Sequence, residues 1–423
     1  MSQIQSTAKD VLDFKRLLGA VILFLCIPSL FSLPYLFYTF FRKRSGNKTD
    51  YVIFIVCISI FFAAINATKS VGGDQWRYWM AYNNVPIKGF LYALMNIYGT
   101  PEAWQGINHH ISGEFMNGVY NYIGYYLSFG YYPLFAFLFT LTSYILLLLG
   151  YYRFCLTLKS PHIPIICGIL IISFFYLYFQ FTLQIQKQFF AQAIMMYVIG
   201  NYAYYGRLRR KDWFAVACSV FTHQSMLFFV PFILLKRFRS KMGKGTIAFV
   251  FIILAFLVFW GPSLMGGVDF SNGSALSYGL ERFANSETNN DGLSIQMNQV
   301  VVIGLPLAVI CFRQLQLNRN YVVPSQQFIV IVVSLILVTT AAMVRQPLAQ
   351  YRFFMMLMPF MPFIYSMTYR NIQKRNIFLM ILAVAMVVWF FFQFEYIYWT
   401  YAPEIDILIK SPIFLVFSNY QGF

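Results

Sequence analysis

Long apolar runs separated by short polar clusters set the pattern of this chain. Runs of about 17 to 25 residues recur from Leu17 to Tyr396, each long enough to cross about 30 Å of hydrocarbon as a helix. The expected spans pair up as Tyr51–Ala67 with Tyr131–Tyr151, Ile163–Gln180 with Gln188–Tyr205, Thr246–Met265 with Ile295–Phe312, and Gln327–Val344 with Phe353–Tyr369. A last span, Ile377–Phe394, leaves the C-terminal tail outside. The first run, Leu17–Phe41, is expected to start outside, with Pro28 and Pro34 as points where it would bend or split.

The polar clusters between these runs are basic. Arg42-Lys43-Arg44 with Lys48, Arg153 with Lys159, Arg207 to Lys211, Lys236 to Lys244, Arg313 with Arg319, and Arg370 to Arg375 all read as cytoplasmic. Crossings between consecutive cytoplasmic clusters must be even in number. Trp213–Leu235 breaks that rule, because it is one apolar run with basic flanks on both sides. Two readings meet the pattern: a re-entrant hairpin over 213–235 with Thr222-His223-Gln224-Ser225 at its turn, or an ordinary crossing with one basic loop on the far side. Non-helical backbone at membrane depth requires burial in protein or a wet cavity.

Composition agrees with this picture: 59% hydrophobic, 20% aromatic and only 11% charged residues exclude an ordinary soluble domain. The net charge of +17 suggests nucleic acid at first sight. Its confinement to short loops between apolar runs is instead the positive-inside pattern, so the expected surroundings are membrane lipid and no nucleic-acid partner is expected. No signal peptide is expected at the N-terminus. The six scattered cysteines, without a CxxC pair, read as small core hydrophobes. The expected organisation is a single integral membrane domain over 1–423, with outer loops at 68–130, bearing short helices, and at 266–294.

Candidate chemistry gathers in five places. "KSVGGDQWRYWMAYNN" offers Lys69, Asp74 and Tyr78 among Trp76, Trp79 and Tyr82. A carboxylate beside aromatic rings suits a sugar, whose hydroxyls need acceptors and whose apolar faces stack; an interfacial aromatic belt with Asp74 as a helix cap is the competing reading. "NHHISGEFMNGVYNY" contributes Glu114, and its adjacent His109 and His110 point in different directions, so no metal site is expected. "FQFTLQIQKQFFAQA" sets Lys187 among Gln184, Gln186, Gln188 and Gln192. "RQPLAQYRFF" carries Arg345, Tyr351 and Arg352, and guanidinium groups grip phosphate oxygens with a planar fork. Within the apolar run Trp213–Leu235, His223 and Ser225 add polar groups that are costly in a bilayer and therefore functional candidates; a His hydrogen-bonded to neighbouring Tyr or Gln is the competing reading. Lys69, Lys187, Arg345 and Arg352 all fall on the outer face, against the positive-inside trend. Outer cations, aromatic rings and one or two carboxylates fit glycosyl transfer from a lipid pyrophosphate.

The order of these motifs resembles the EpsG-like branch of the Wzy-type bacterial polysaccharide polymerases. "GGDQWRY" is similar to that family's G-x-D-x-x-x-Y, "KQFFA" to its R-Q-x-L-A with Lys187 for the arginine, "FTHQSMLFF" to its F-H-x-S-A, and "RQPLAQYRFF" to its late Arg/Tyr element. The resemblance covers residues from about 68 to 365. It implies an all-α polytopic fold of about 11 transmembrane helices plus the hairpin, in a GT-C-like arrangement, in the bacterial inner membrane with its active face periplasmic. The implied activity is metal-independent and cofactor-free, and joins undecaprenyl-pyrophosphate-linked oligosaccharides in O-antigen or exopolysaccharide synthesis; a chain-length regulator is a further expected partner. A polyprenyl-phosphate-sugar-dependent glycosyltransferase and a flippase of lipid-linked sugars are the alternatives. The expected catalytic residues are Asp74 and His223 as base candidates and Arg352 on pyrophosphate. Lys69, Tyr78, Glu114, Lys187, Gln188, Ser225, Arg345 and Tyr351 are expected to bind substrate.

Overall fold

The computed structural model describes residues 12–71, 74–95, 114–175, 177, 179, 185–239, 244–265, 293–317, 323–343, 347–369, 371–394, 401–418 and 420. All regular structure among them is helical. Among the described residues, four helices are long and apolar enough to cross a membrane: Lys48–Ala67, Tyr132–Cys155, Pro324–Ala342 and Ile372–Phe394. The chain forms two compact units, one from Met1–Asn201, Leu208–Met226 and Asn376–Phe423, the other from Tyr202–Arg207 and Leu227–Arg375.

The first unit opens with α1 (Phe14–Cys26) and α2 (Ser29–Arg42). Pro28 disfavours helical backbone at Ile27, which is extended, so the first apolar run becomes two helices. At the start of α3 (Lys48–Ala67), buried Asp50 accepts hydrogen bonds from Arg16 Nη2 at 2.6 Å and Lys43 Nζ at 3.0 Å. One carboxylate thus holds both ends of the run. The run folds back instead of starting on the opposite face, which corrects that expectation; helices of 13 and 14 residues rise only about 20 Å each.

Helix α3 is apolar all round and almost wholly buried, as expected of a helix surrounded by others. After it come α4 (Asp74–Asn83), α5 (Val85–Met95) and α6 (Phe115–Leu127), then α7 (Tyr132–Cys155), α8 (His162–Phe174), α9 (Gln186–Tyr205) and α10 (Arg210–Thr222). Helix α3 packs along α7 and against α8. Phe62 stacks on Tyr144 at 5.1 Å and meets Phe174 and Phe390 edge-on at 5.0 and 5.4 Å. Phe390 belongs to the helix Ile372–Phe394, whose other face presents Ile377, Ile381, Val384, Val388 and Phe392 outward. That stripe suits lipid contact.

Helix α9 crosses α7 at a glycine pair. A Cβ on Gly200 would lie 1.9 Å from the Gly150 carbonyl oxygen, so only hydrogen fits there. Beyond Phe394, in the same unit, Ala402 N–H donates to Thr68 Oγ1 at 3.1 Å, and the Tyr131 and Phe417 rings stack at 5.9 Å.

The second unit is built on the helix Pro324–Ala342, packed by the helices Lys244–Met265, Leu293–Leu317 and Pro347–Leu357. Phe228 meets Phe353 edge-on at 5.3 Å. The expected span Phe353–Tyr369 is not one helix: Pro359 and Pro362 divide it into Pro347–Leu357, a 3-10 turn at Met358–Phe360, and Met361–Tyr365.

Candidate functional site

Helix α10 begins where Asp212, fully buried, accepts from the backbone N–H and Nε of Arg209, each at 2.9 Å. Asn201 Nδ2 donates to the same carboxylate at 3.1 Å, tying α10 to α9. Higher up, Ser219 Oγ donates to the Ala191 carbonyl at 2.7 Å. The helix stops at Thr222. His223 is extended (φ −152°, ψ 121°), and a 3-10 turn over Gln224–Phe229 follows. The apolar run Trp213–Leu235 is therefore divided at His223.

This break exposes a backbone donor, and Glu114 takes it. Gln224 N–H donates to Glu114 Oε1 at 3.1 Å, while Lys187 Nζ, in the first turn of α9, donates to Glu114 Oε2. Ser225 lies against His223, its Oγ 2.6 Å from Nδ1 and its backbone N–H donating to the same nitrogen at 3.3 Å. A backbone amide can only donate, so Nδ1 carries the lone pair and the neutral ring bears its proton on Nε2. The Phe115 and Phe221 rings meet at 5.0 Å beside this cluster. Burial pushes the Glu114 carboxyl up, but attraction to His223 in its protonated form, the Lys187 charge and the hydrogen bonds from Lys187 and Gln224 outweigh it and hold the group below its ordinary value. Glu114 is an ionised counter-charge here.

The structure thus brings Glu114, Lys187, His223 and Ser225 together in the first unit. The bridging group is the Gln224 amide, a backbone atom to which no side-chain motif points. Gln188 is buried on α9 and Tyr78 half-buried on α4. The side chains of Asp74 and Arg345, together with Gly72, Gly73, His109, His110, Gln184 and loop 266–294, lie outside the described residues. Tyr351 and Arg352 sit on the helix Pro347–Leu357 in the second unit, each part-buried.

Two expectations change. Tyr82 is no sugar platform: it is fully buried in an aromatic core with Tyr132 and Phe135, its hydroxyl 2.5 Å from Ser128 Oγ. Trp76, 46% exposed, stacks on Trp79 at 4.8 Å, so the outward ring is Trp76. Lys69 has no exposed surface; its Nζ donates to Gln75 Oε1 at 2.8 Å, and among the described residues this is its one side-chain partner. Burial pushes its ammonium down to about 7. The amide nitrogen of Gln75 and the amide oxygen of Asn66 are also buried without partners among the described residues.

Compared with known proteins, the chain matches the family model described as the EpsG family over residues 50–402. No curated protein and no solved structure matches it. The matched range includes Glu114, Lys187, His223 and Ser225.

Proposed function

The chain belongs to the EpsG family, whose members are membrane proteins of polysaccharide-polymerase type, and from that premise we propose that it joins oligosaccharide repeat units carried on undecaprenyl pyrophosphate. One observation carries the reading. A cation, a carboxylate and an imidazole–hydroxyl pair stand together at a break in an apolar run, inside the range that the family matches.

In this reading the nonreducing-end hydroxyl of one lipid-linked unit attacks the anomeric carbon of the growing glycan. The C–O bond to pyrophosphate breaks, and undecaprenyl pyrophosphate leaves with the electron pair. The hydroxyl proton passes to Ser225 Oγ as the serine proton moves to His223 Nδ1, 2.6 Å away. The imidazolium so formed is favoured by the Glu114 carboxylate. Lys187 meets the charge that develops on the leaving pyrophosphate, and Arg345 and Arg352 are carried forward as further phosphate ligands on their chemistry alone. Asp74, the leading base candidate by sequence, is kept as the alternative base. Lys69, without exposed surface, leaves the set of phosphate contacts.

The finer expectations belong to the same proposal: about 11 spans with a hairpin over 213–235 in a GT-C-like arrangement, loops 68–130 and 266–294 outside, a periplasmic active face in the bacterial inner membrane, no metal, and a chain-length regulator as partner. The break at His223 supports the hairpin.

Purified protein in lipid vesicles, supplied with undecaprenyl-pyrophosphate repeat units, should yield a ladder of lengthening glycan. Transfer only from a polyprenyl monophosphate sugar, or lipid movement without covalent product, overturns the proposal. His223→Ala should cut the ladder by at least about 100-fold with membrane insertion intact; undiminished synthesis returns His223 to a purely structural place.

A further inference from the structure

Lys187 is not an open cation. Its ammonium is hydrogen-bonded to Glu114, a carboxylate that also accepts from the Gln224 backbone and lies within electrostatic range of His223. The three partners come from separate segments: the first turn of α9, the residue before α6, and the break after α10. Both side chains are largely enclosed, with 16% and 20% of their surfaces exposed, so the attraction is screened less than at an open surface. An anion arriving at Lys187 must compete with a carboxylate already there.

We propose that Glu114 is an exchangeable counter-ion: in the empty site it neutralises Lys187, and a bound pyrophosphate takes Lys187 over and leaves the carboxylate to His223. The inference rests on the polymerase reading and adds an order of events to it. With Lys187 occupied, Glu114 keeps its bond to the Gln224 amide through Oε1, while Oε2 loses its ammonium partner. The nearest positive charge it can then favour is the imidazolium. Donor binding therefore raises the basicity of His223, the group that must accept the acceptor's proton. Acceptor activation thus follows donor capture. Glu114 touches neither reacting atom in this scheme and is a positioning residue.

The test is the full-length protein in detergent or vesicles with Glu114→Gln, which keeps an acceptor for the Gln224 amide and removes the charge. Binding of inorganic pyrophosphate, followed by calorimetry, should tighten by about tenfold, the scale expected when a half-buried ion pair no longer competes. Glycan synthesis should nevertheless fall, by about 10- to 100-fold. The acid limb of the pH–rate profile should move to lower pH, since an imidazole without its carboxylate neighbour gives up its proton more readily. Adding Lys187→Met should abolish the gain in affinity. Unchanged or weaker pyrophosphate binding in Glu114→Gln, or an unmoved pH profile, overturns the exchange and makes Glu114 a simple brace or substrate contact. Should the glutamine variant fail to fold, Glu114→Asp keeps the test open: its shorter reach should loosen Lys187 and tighten pyrophosphate binding, and no change there defeats the proposal. A wild-type protein that makes the ladder while Lys187→Met binds pyrophosphate normally also defeats it, whereas a wild type that makes no ladder defeats the polymerase reading instead.

Discussion

Lys69, sealed just beyond the C-terminal end of α3 with one amide for company, makes a prediction with a definite sign. Its ammonium is pushed down to about 7 from an ordinary 10.5. Below pH 7 the folded protein carries the whole cost of a buried charge. Between 7 and 10.5 the unfolded chain holds a proton that the folded chain lacks, so stability rises with pH; above 10.5 both states are neutral and the cost is gone. Lys69→Met should therefore raise the unfolding temperature in detergent at pH 6 by an amount reflecting a few kcal/mol, and the gain should vanish near pH 10.5. A gain independent of pH would place Lys69 among charged, hydrated groups. The sequence made residue types legible here: His223 and Ser225 stood out as polar groups in an apolar run, Lys187 as a cation among glutamines, and Glu114 as a carboxylate in the loop before α6. Their pairing did not, because Glu114 and Lys187 are 73 positions apart and no side-chain motif records the backbone amide that joins them. The burial of Lys69 was hidden for a similar reason: nothing in the run of residues shows that the Gln75 side chain folds back over it.

At the scale of elements, α9 delivers Lys187 to the cluster only if its other end lies flush on α7. Gly200→Val should destabilise the folded protein by about 1–3 kcal/mol or more, seen as a lower unfolding temperature and loss of a single peak in size exclusion, because the clash is with backbone and no rotamer relieves it. A variant of wild-type stability would mean that the two helices are not in contact there. Spans such as α3 and α7 were readable, since long uninterrupted apolar runs admit one structure in lipid. Prolines decided where the apolar runs broke. Pro28 split the first run, as its position there led us to expect, whereas Pro359 with Pro362 divided another that hydropathy alone recorded as one continuous greasy stretch. The division at His223 has no proline; there the extended residue is held by Ser225 and by the Glu114 bond to its neighbour.

For the whole molecule, parity of basic clusters gave an orientation, and the salt bridges of Asp50 revise its first step. Because Arg16 and Lys43 meet one carboxylate, residues on either side of the α1–α2 pair share a membrane face. Single cysteines placed at Lys15 and at Ser45, in a background without the natural cysteines, should react with an impermeant maleimide from the same side of sealed vesicles. Labelling from opposite sides would restore a crossing by Leu17–Phe41. The net charge of +17 reported a membrane setting and a preferred orientation, and was silent on the division into two units. That division depends on contacts between distant parts of the chain, such as Thr68 with Ala402, and local periodicity carries no trace of them.

The same hydrogen bond, 334 positions from donor to acceptor, has a consequence for biosynthesis. Segments emerge from the ribosome in order, so α3 and α7 are embedded long before Ala402 is translated. A nascent protein halted anywhere in its second half would display the C-terminal end of α3 without its Ala402 partner, a feature by which quality-control proteases could tell an unfinished subunit from a finished one.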